Sequence, residues 1–456
     1  MSVKPLRLSY DAALYKKLIL LALPIMGSYL LQTLYNLADT FFLGKLGKEA
    51  VSAPSIAFNI IFFMIIFGTG FASAGTTLIS QSKGKKDDQK VEHYTGQTMG
   101  ILFIVSCIIS ILGFFMTDTF LQLLQVPEGL TYAYTRVYMR IIFLGMPYMF
   151  ISFAFQAIMQ GVGDSLTPLY LQIGTVILNI VLDYLLIFGI GIFPVLGVQG
   201  AAIATVTARG TAGIVSLIIL FSGKKAAVLH LSALIPSMRS WKLIGAIGLP
   251  SSIGQGISAL GFTTLQGVVN TFGPSVIAAF GVGGRIIGLF NMPSQGLSQA
   301  TAIMVGQHLG AKKYDQASKI VVYGLGTVFV FITIGMSLTF FYGNYFVKFF
   351  VDDPEVIGYG YTLFRIVSVS VVFFALFTVL VGAFQGGGDT KPIMFFNIFR
   401  LWGVRVPAAL ILSKVCNLGP EGIWWAMFLS NFSVALFMFL LYRTERWKYR
   451  LNPDTI

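Results

Sequence analysis

Apolar residues fill the sequence in twelve long runs that are separated by short polar segments. Each run is about 20 residues or longer, the length that an α-helix needs to cross the apolar part of a bilayer. The pattern therefore predicts an all-α integral membrane protein with twelve transmembrane helices. The predicted spans are 15–42, 51–80, 93–117, 131–161, 166–190, 197–222, 242–270, 276–305, 317–343, 356–386, 391–413 and 419–443.

The second six spans resemble the first six. Leu23-Pro24 matches Leu249-Pro250, and Gly47 matches Gly273 at the same offset along the chain. An even number of spans gives both halves the same orientation, and transporters built in this way bind substrate between the repeats near the bilayer midplane. We predict two pseudo-symmetric six-helix lobes, with an N-terminal lobe at 1–222, a cytoplasmic linker at 223–241, a C-terminal lobe at 242–443 and a cytoplasmic tail at 444–456.

Composition agrees with a membrane protein. Hydrophobic residues make up 56% of the chain, charged residues make up 11%, and the mean hydropathy is +0.80. Soluble proteins carry about 25% charged residues. Lipid can face apolar side chains directly, so a bilayer accommodates a chain that has too little polar surface for water. The first apolar run exceeds the core of a signal peptide, and we interpret it as the first membrane helix.

The net charge of +13 is distributed as membrane topology requires. Most basic loop residues fall on one side of the predicted membrane, as at Lys85, Lys224 and Lys312, whereas few, such as Lys45 and Lys348, fall on the other. Basic loops stay in the cytoplasm. We therefore predict a multi-pass protein of the cell inner (plasma) membrane with both termini cytoplasmic, surrounded by lipid bilayer, and no nucleic-acid partner.

Enzyme chemistry has little support in the sequence. Cys107 and Cys416 lie in different halves without a CxxC partner, and the three histidines lie in or beside polar loops. This arrangement disfavours a disulfide framework and a zinc site. Two strings that end at Asp164 and Asp389 have the pattern GxGD, which intramembrane aspartyl proteases also carry. Here both strings lie in short loops before prolines, where turn formation explains them. We predict no enzymatic activity and no cofactor apart from a coupling ion.

The acidic residues are more informative. Of the eighteen, only Asp39 and Asp183 lie well inside apolar segments. A carboxylate at that depth costs about 2.5–3.5 kcal/mol on insertion scales, so such residues mark ion or proton pathways. We predict that these two groups bind and release a proton or hold a cation.

Each of the two aspartates has polar neighbours at helical spacing. Gln32, Tyr35, Asn36 and Asp39 form one stripe on the first helix, and Gln172, Asn179 and Asp183 form another on the fifth. Oxygen ligands of this kind suit Na⁺ or H⁺ rather than Zn²⁺. A buried polar network that only locks helices together is the alternative.

Two basic residues, Arg400 and Arg405, lie deep in the eleventh predicted span. A role as cavity or gating cations and a role in structural pairing both fit the sequence.

The strings Gln32-Thr-Leu-Tyr-Asn-Leu-Ala-Asp39 and Leu178-Asn-Ile-Val-Leu-Asp183, together with the two six-helix halves, resemble the multidrug and toxic compound extrusion (MATE) transporters. The similarity covers nearly the whole chain and is greatest to the DinF-type and archaeal branch. It implies a secondary antiporter that exports amphipathic or cationic drugs in exchange for H⁺ or Na⁺ by alternating access. It also implies small-molecule partners, and we expect a monomer.

The resemblance assigns roles to single residues. Asp39, Asn179, Asp183 and Thr205 match a proton or cation site, so Na⁺ is an expected ligand there. Pro24 matches a proline at which the first helix is proposed to bend. Together with Gln32, Tyr35 and Asn36, it belongs to the expected substrate cavity or helix-1 switch.

Two expectations bear on the second half. The repeat register places Leu265, Gly403, Pro407 and Met427 opposite Asp39, Asn179, Asp183 and Thr205, so cation coupling is predicted in the N-terminal lobe alone. No acid lies well inside the spans of the second half, which disfavours the NorM-type branch. The alternative function is a lipid-linked precursor flippase of the same superfamily, which Arg400 and Arg405 keep open.

Overall fold

The computed structural model describes residues 11–451, and twelve helices in this part of the chain are long and apolar enough to cross a membrane. The predicted number and order of spans are confirmed. The helices are α1 (Ala12–Gly44), α2 (Lys48–Gly84), α3 (Asp88–Leu123), α4 (Leu130–Val162), α5 (Leu166–Phe188), α6 (Val198–Phe221), α7 (Met238–Asn270), α8 (Pro274–Gly310), α9 (Tyr314–Phe350), α10 (Pro354–Gly386), α11 (Thr390–Val415) and α12 (Pro420–Tyr442). Lys4 and Arg7, which belong to the predicted cytoplasmic terminus, lie outside the described residues.

Most helices extend beyond the apolar runs that predicted them, because the helix continues into polar residues and ends at a capping residue. The Asp87 carboxylate accepts a hydrogen bond from the Lys90 backbone N–H at 3.0 Å and so begins α3. Gly163 (φ 97°) and Gly189 (φ 67°) end α4 and α5 in the left-handed conformation that glycine adopts without strain. Local chemistry thus fixes the ends, and apolar length fixes the spans.

The described chain forms two compact units. One unit comprises residues 27–256, and the other comprises the described residues up to Met26 together with those from Ile257 onward. The chain thus changes unit within α1 and again within α7, shortly after Pro24 and Pro250 respectively. The repeat halves defined by sequence and the units defined by packing are therefore different divisions of this chain.

One central helix organises each unit. In the first, α4 packs against α2, α3 and α6; in the second, α10 packs against α8, α9 and α12. The apolar stretches of α4 and α10 are the most buried among the described spans, since 61% of the residues in each stretch are buried. Glycines allow the close approach, since a Cβ on Gly145 would clash with the Val206 side chain.

The linker between α6 and α7 belongs to the unit of residues 27–256 and packs against α3. A short 3₁₀ helix, Leu231–Leu234, lies against α3. The Gln97 side-chain amide donates to the carbonyls of Ala233 (2.8 Å) and Ile235 (2.7 Å), and its oxygen accepts from the Ser237 backbone N–H at 2.8 Å. These bonds fix the path of the linker on the surface of α3.

Helix α11 is irregular. It is α-helical at Thr390–Ile398, π-helical at Phe399–Arg405, α-helical at Val406–Leu410 and π-helical again at Ile411–Val415. Pro407 has no N–H to donate within this helix. Hydrogen bonds of a π-turn close between residues five apart, so residues with that spacing lie roughly one turn above each other. Arg400 and Arg405 have this spacing and come onto one side of α11.

Candidate membrane-embedded carboxylate site

Helices α1 and α5 bring the two predicted carboxyl groups together in the unit of residues 27–256. Asp39 and Asp183 lie within hydrogen-bonding distance of each other. The Asn179 amide group lies beside both, with one terminal atom 3.1 Å from Asp39 Oδ1 and 3.2 Å from Asp183 Oδ2. Asn179 and Asp183 are fully buried. Since two carboxylates this close repel each other, a shared proton or a bound cation stabilises the pair.

The two possible orientations of the Asn179 amide suit different ligands. With its nitrogen towards the aspartates, the amide donates to both carboxylates. With its oxygen there, three oxygen atoms converge on one point, which is the arrangement that a hard cation prefers. Asp183 Oδ1 has no hydrogen-bond partner among residues 11–451. Buried oxygens of this kind are costly unless a proton, cation or water satisfies them.

Tyr35 links the aspartate pair to α6. Its side chain is 4% exposed, and the Arg209 guanidinium carbon lies 4.9 Å from the centre of its ring. Arg209 is also close enough to attract the Asp39 carboxylate. The buried Thr205 hydroxyl lies near the Tyr35 hydroxyl but makes no hydrogen bond of ordinary geometry among the described residues. Thr205 therefore joins the group through Tyr35.

A cleft adjoins this group in the same unit. Its volume is about 80 Å³, and it is lined by residues that include Gln32, Tyr35, Phe153, Gln172 and Arg209. This volume is smaller than the roughly 300–1,000 Å³ of a pocket that accepts a drug-sized molecule, so the cleft would have to widen to take one. Because Tyr35 and Arg209 line the cleft and also neighbour the carboxyl groups, they connect the two places physically.

The remaining predicted members of the switch are Gln32, Asn36 and Pro24. Gln32 donates to Asn36 Oδ1 at 3.2 Å, and Asn36 is exposed. The helical stripe predicted these side chains on one face, and they do form a local pair along α1. Pro24 is buried in the unit that contains the described residues up to Met26.

Two contributors to the site were not predicted from the sequence. Arg209 of α6 stacks on Tyr35. Tyr138 of α4 lies close enough to Asp39 and Asp183 to interact with both electrostatically. The signal for Arg209 was its position on α6, four residues after Thr205; no sequence signal indicated Tyr138.

Arg400 and Arg405 lie in the other unit, where they contact uncharged side chains. Arg405 donates from Nε to Ser430 Oγ at 2.8 Å and from its terminal nitrogen to Asn431 Oδ1 at 2.6 Å. Arg400 donates to the same Asn431 oxygen at 3.5 Å. The structural pairing considered for these arginines is therefore with an amide and a hydroxyl. Asn431 was not predicted, although it is an amide within the apolar run of α12.

A protein-family model named MatE matches this chain twice, at residues 24–185 and 250–411. The chain belongs to the MatE family. The two MatE segments have equal length and each begins at a proline, Pro24 and Pro250. The internal repeat inferred from the sequence is thus a repeat of the MatE segment, and members of this family are transporters rather than enzymes.

Curated relatives match along almost their whole length. The chain is 27% identical to "Probable multidrug resistance protein YoeA" of Bacillus subtilis, over 96% of this chain and 95% of the relative. It is 28% identical to "Probable multidrug resistance protein NorM" of Thermotoga maritima, over 95% of this chain and 93% of the relative.

A solved structure described as MATE in the bent conformation has the same fold. Its TM-score with this MatE chain is 0.89 at 24% identity, covering 95% of each chain. The predicted family and fold class are therefore confirmed, and assignment to the DinF-type and archaeal branch stays a prediction.

Proposed function

We propose that this MatE protein is a secondary multidrug antiporter that exports amphipathic or cationic organic compounds in exchange for H⁺ or Na⁺. The observation that carries the proposal is the group of partly buried Asp39 with fully buried Asn179 and Asp183, within helices long enough to cross a membrane. Relatives named as multidrug resistance proteins support small-molecule extrusion. Alternating access would expose the site to each side of the membrane in turn.

Arg209 supplies a physical link between ion and substrate. When the carboxyl groups are charged, Asp39 attracts the Arg209 guanidinium and offsets its charge. When a proton or Na⁺ neutralises the pair, that attraction is lost and Arg209 presents more net positive charge to the cleft that it lines. A cationic substrate is then repelled. Binding of the coupling ion and of the substrate thus oppose each other, which is the linkage that antiport requires.

Both coupling ions are compatible with the group. A proton can be shared between Asp39 and Asp183, and Na⁺ can be bound by their oxygens with Asn179 turned to present its own. Thr205 Oγ1 offers a further oxygen near Tyr35. The proposal therefore names the site and leaves the ion to a direct measurement.

A lipid-linked precursor flippase is the second candidate. Its substrate would need cationic side chains along the transport cleft. In the cleft of the unit of residues 27–256, Arg209 is the one charged lining residue. In addition, the flippase hypothesis assigns no function to the neighbouring carboxyl pair. The antiporter is therefore the better-supported function.

The function is tested with purified protein in lipid vesicles that contain a fluorescent organic cation. An H⁺ gradient and a Na⁺ gradient are imposed separately, and at least one should drive uphill movement of the dye. Asp118→Asn is the matched control, because Asp118 lies in the same unit but pairs with Arg136 and Arg140. Absence of driven movement under both gradients would contradict the proposal.

The proposed orientation, with both termini in the cytoplasm, has its own test. In intact cells, an impermeant thiol reagent should label the exposed native Cys416, which follows Lys414 in a loop predicted to be outside. In a Cys416→Ser background, cysteines introduced at Lys85, Lys224 or Lys312 should label at least about tenfold more slowly. Rapid labelling at those three positions would reverse the orientation.

A further inference from the structure

Two buried arginines share one neutral partner in the unit that contains α8 to α12. Arg400 is 4% exposed and Arg405 is 2% exposed. Both donate to Asn431 Oδ1, so the two guanidinium groups lie side by side. Asn431 is held in turn by the Ser370 hydroxyl, to which its nitrogen donates at 2.9 Å. The whole network is uncharged apart from the arginines.

Among residues 11–451, no acidic side chain compensates this pair. The interactions of the two guanidinium groups are hydrogen bonds to Ser430 and Asn431, ring contacts, and repulsion between the arginines themselves. Arg400 Nε is buried and has no hydrogen-bond partner within the described chain. A guanidinium carries five N–H donors and keeps its charge in proteins. Burying two such groups together is costly unless an anion is bound.

Another arginine pair in the same protein has its charge compensated by an acidic side chain. Arg136 and Arg140 on α4 share the Asp118 carboxylate, with hydrogen bonds of 2.9 and 3.0 Å to Oδ2. That pair is only partly buried, yet it has an acid. The Arg400–Arg405 pair is far more buried and has an amide in the equivalent role. This contrast separates a pair that only holds helices together from one that is ready to accept an anion.

Aromatic rings enclose the guanidinium groups. The Phe374 ring centre lies 4.7 Å from the Arg400 guanidinium carbon. The Phe262 ring centre lies 5.6 Å from the guanidinium carbons of both arginines, and Phe262 is itself 46% exposed. The guanidinium groups therefore lie beside aromatic rings, and one of these rings is itself partly exposed.

We propose that Arg400 and Arg405 form a binding site for an oxyanion group, a phosphate or a carboxylate, carried by an amphiphilic molecule. Planar guanidinium groups bind these oxyanions through paired N–H donors. The aromatic walls exclude water and favour a molecule with an apolar part. This site is separate from the carboxyl pair, and its occupancy does not depend on ion coupling.

The test measures binding to purified protein in a neutral detergent without any gradient. Dodecyl phosphate and dodecyltrimethylammonium have the same tail and opposite head charges. Dodecyl phosphate should raise the melting temperature saturably, and the cation should not. Arg400→Gln and Arg405→Gln should each weaken the response at least about tenfold, whereas Arg365→Gln, an exposed arginine of α10 in the same unit, should match the wild type. Equal responses to the two heads, or full binding by the Gln variants, would overturn the site.

A second variant keeps the proposal testable if the glutamine variants do not fold. Asn431→Asp retains both arginines and supplies an internal carboxylate between them, as Asp118 does for the other pair. This variant should melt at a higher temperature and should lose the response to dodecyl phosphate. An unchanged response would overturn the proposal.

The source of the oxyanion is distinguished by competition. Phosphatidic acid that competes with dodecyl phosphate would assign the site to a lipid headgroup, and failure to compete would assign it to a smaller amphiphile. Because no transport is measured, a failure of the antiporter proposal leaves these results unaffected, and the reverse also holds.

Discussion

The two compact units of this MatE protein each bury a pair of like charges around one asparagine, and the signs are opposite. In the unit of residues 27–256, Asn179 lies between Asp39 and Asp183. In the other unit, Asn431 lies between Arg400 and Arg405. Among the described residues, Arg209 balances the carboxyl pair only in part, and no acidic side chain balances the arginine pair. Each unit therefore has an electrostatic reason to bind a partner, a cation in one and an anion in the other.

The internal repeat explains the common arrangement of helices in the two halves, but it does not explain their different functional groups. In the repeat register, the apolar Leu265 stands opposite Asp39, and Pro407 stands opposite Asp183. Leu265 is fully buried, as a core position requires. The two arginines lie at other positions of the repeat, on a π-helical turn of α11. Helix α5, which is equivalent to α11 in the first half, is α-helical throughout Leu166–Phe188. Equivalent helices thus hold different functional groups on the same architecture.

The largest expected effect is the loss of ion-driven transport when the carboxyl pair of the unit of residues 27–256 is changed, but not when the arginine pair of the other unit is changed. Asp39→Asn and Asp183→Asn should each reduce gradient-driven efflux of an organic cation to the level of protein-free vesicles, because neither amide can bind and release a proton or balance a cation. Arg400→Gln should keep at least about half of the driven rate. Efflux in lipid vesicles measures both, with insertion checked by size-exclusion chromatography. Normal driven efflux in both aspartate variants would remove the contrast between the units.

The central asparagines offer a matched pair of substitutions with opposite expected signs. Asn431→Asp places a carboxylate between two arginines and should stabilise the protein by about 1–3 kcal/mol. Asn179→Asp places a third carboxyl beside two others and should destabilise it by a similar amount near neutral pH. Melting temperatures measured in detergent give the two signs.

Lowering the pH sharpens the asparagine comparison. The added carboxyl in Asn179→Asp takes up a proton as the pH falls, so its destabilisation should shrink. If Asn431→Asp and Asn179→Asp change the melting temperature in the same direction, the two charge pairs do not differ in the sign of charge that stabilises them.

A smaller effect is expected at the two prolines. Pro24 and Pro250 occupy equivalent positions in α1 and α7, and each removes one backbone hydrogen bond from its helix. Pro24→Ala should lower driven efflux several-fold, because α1 carries Asp39 and Tyr35. Pro250→Ala should lower it less than about twofold, since the counterparts of those residues on α7 are Leu265 and Gly261. Equal losses would indicate that bending of both helices, rather than the carboxyl site, limits transport.

Some features of the site could be predicted from single positions. Asp39 and Asp183 stand out because a carboxyl group deep in an apolar run is costly, and the structure brings the two together. Asn36 shares the helical face of Asp39 by spacing, yet it is exposed and pairs with Gln32. Helical periodicity gives a direction around one helix and does not tell which neighbouring helix covers that direction.

The twelve spans, the internal repeat and the unusual depth of Asp39 and Asp183 follow from the residues alone, because apolar length and the cost of a buried charge act on each segment independently. The surroundings of each charge follow from the packing of the helices. Arg209 stacks on Tyr35 near Asp39, and Asn431 bridges Arg400 and Arg405. Five residues separate the arginines, and an α-helix would turn them about 140° apart, whereas a π-turn aligns them. That local geometry depends on packing around α11, which a linear pattern of residues does not contain.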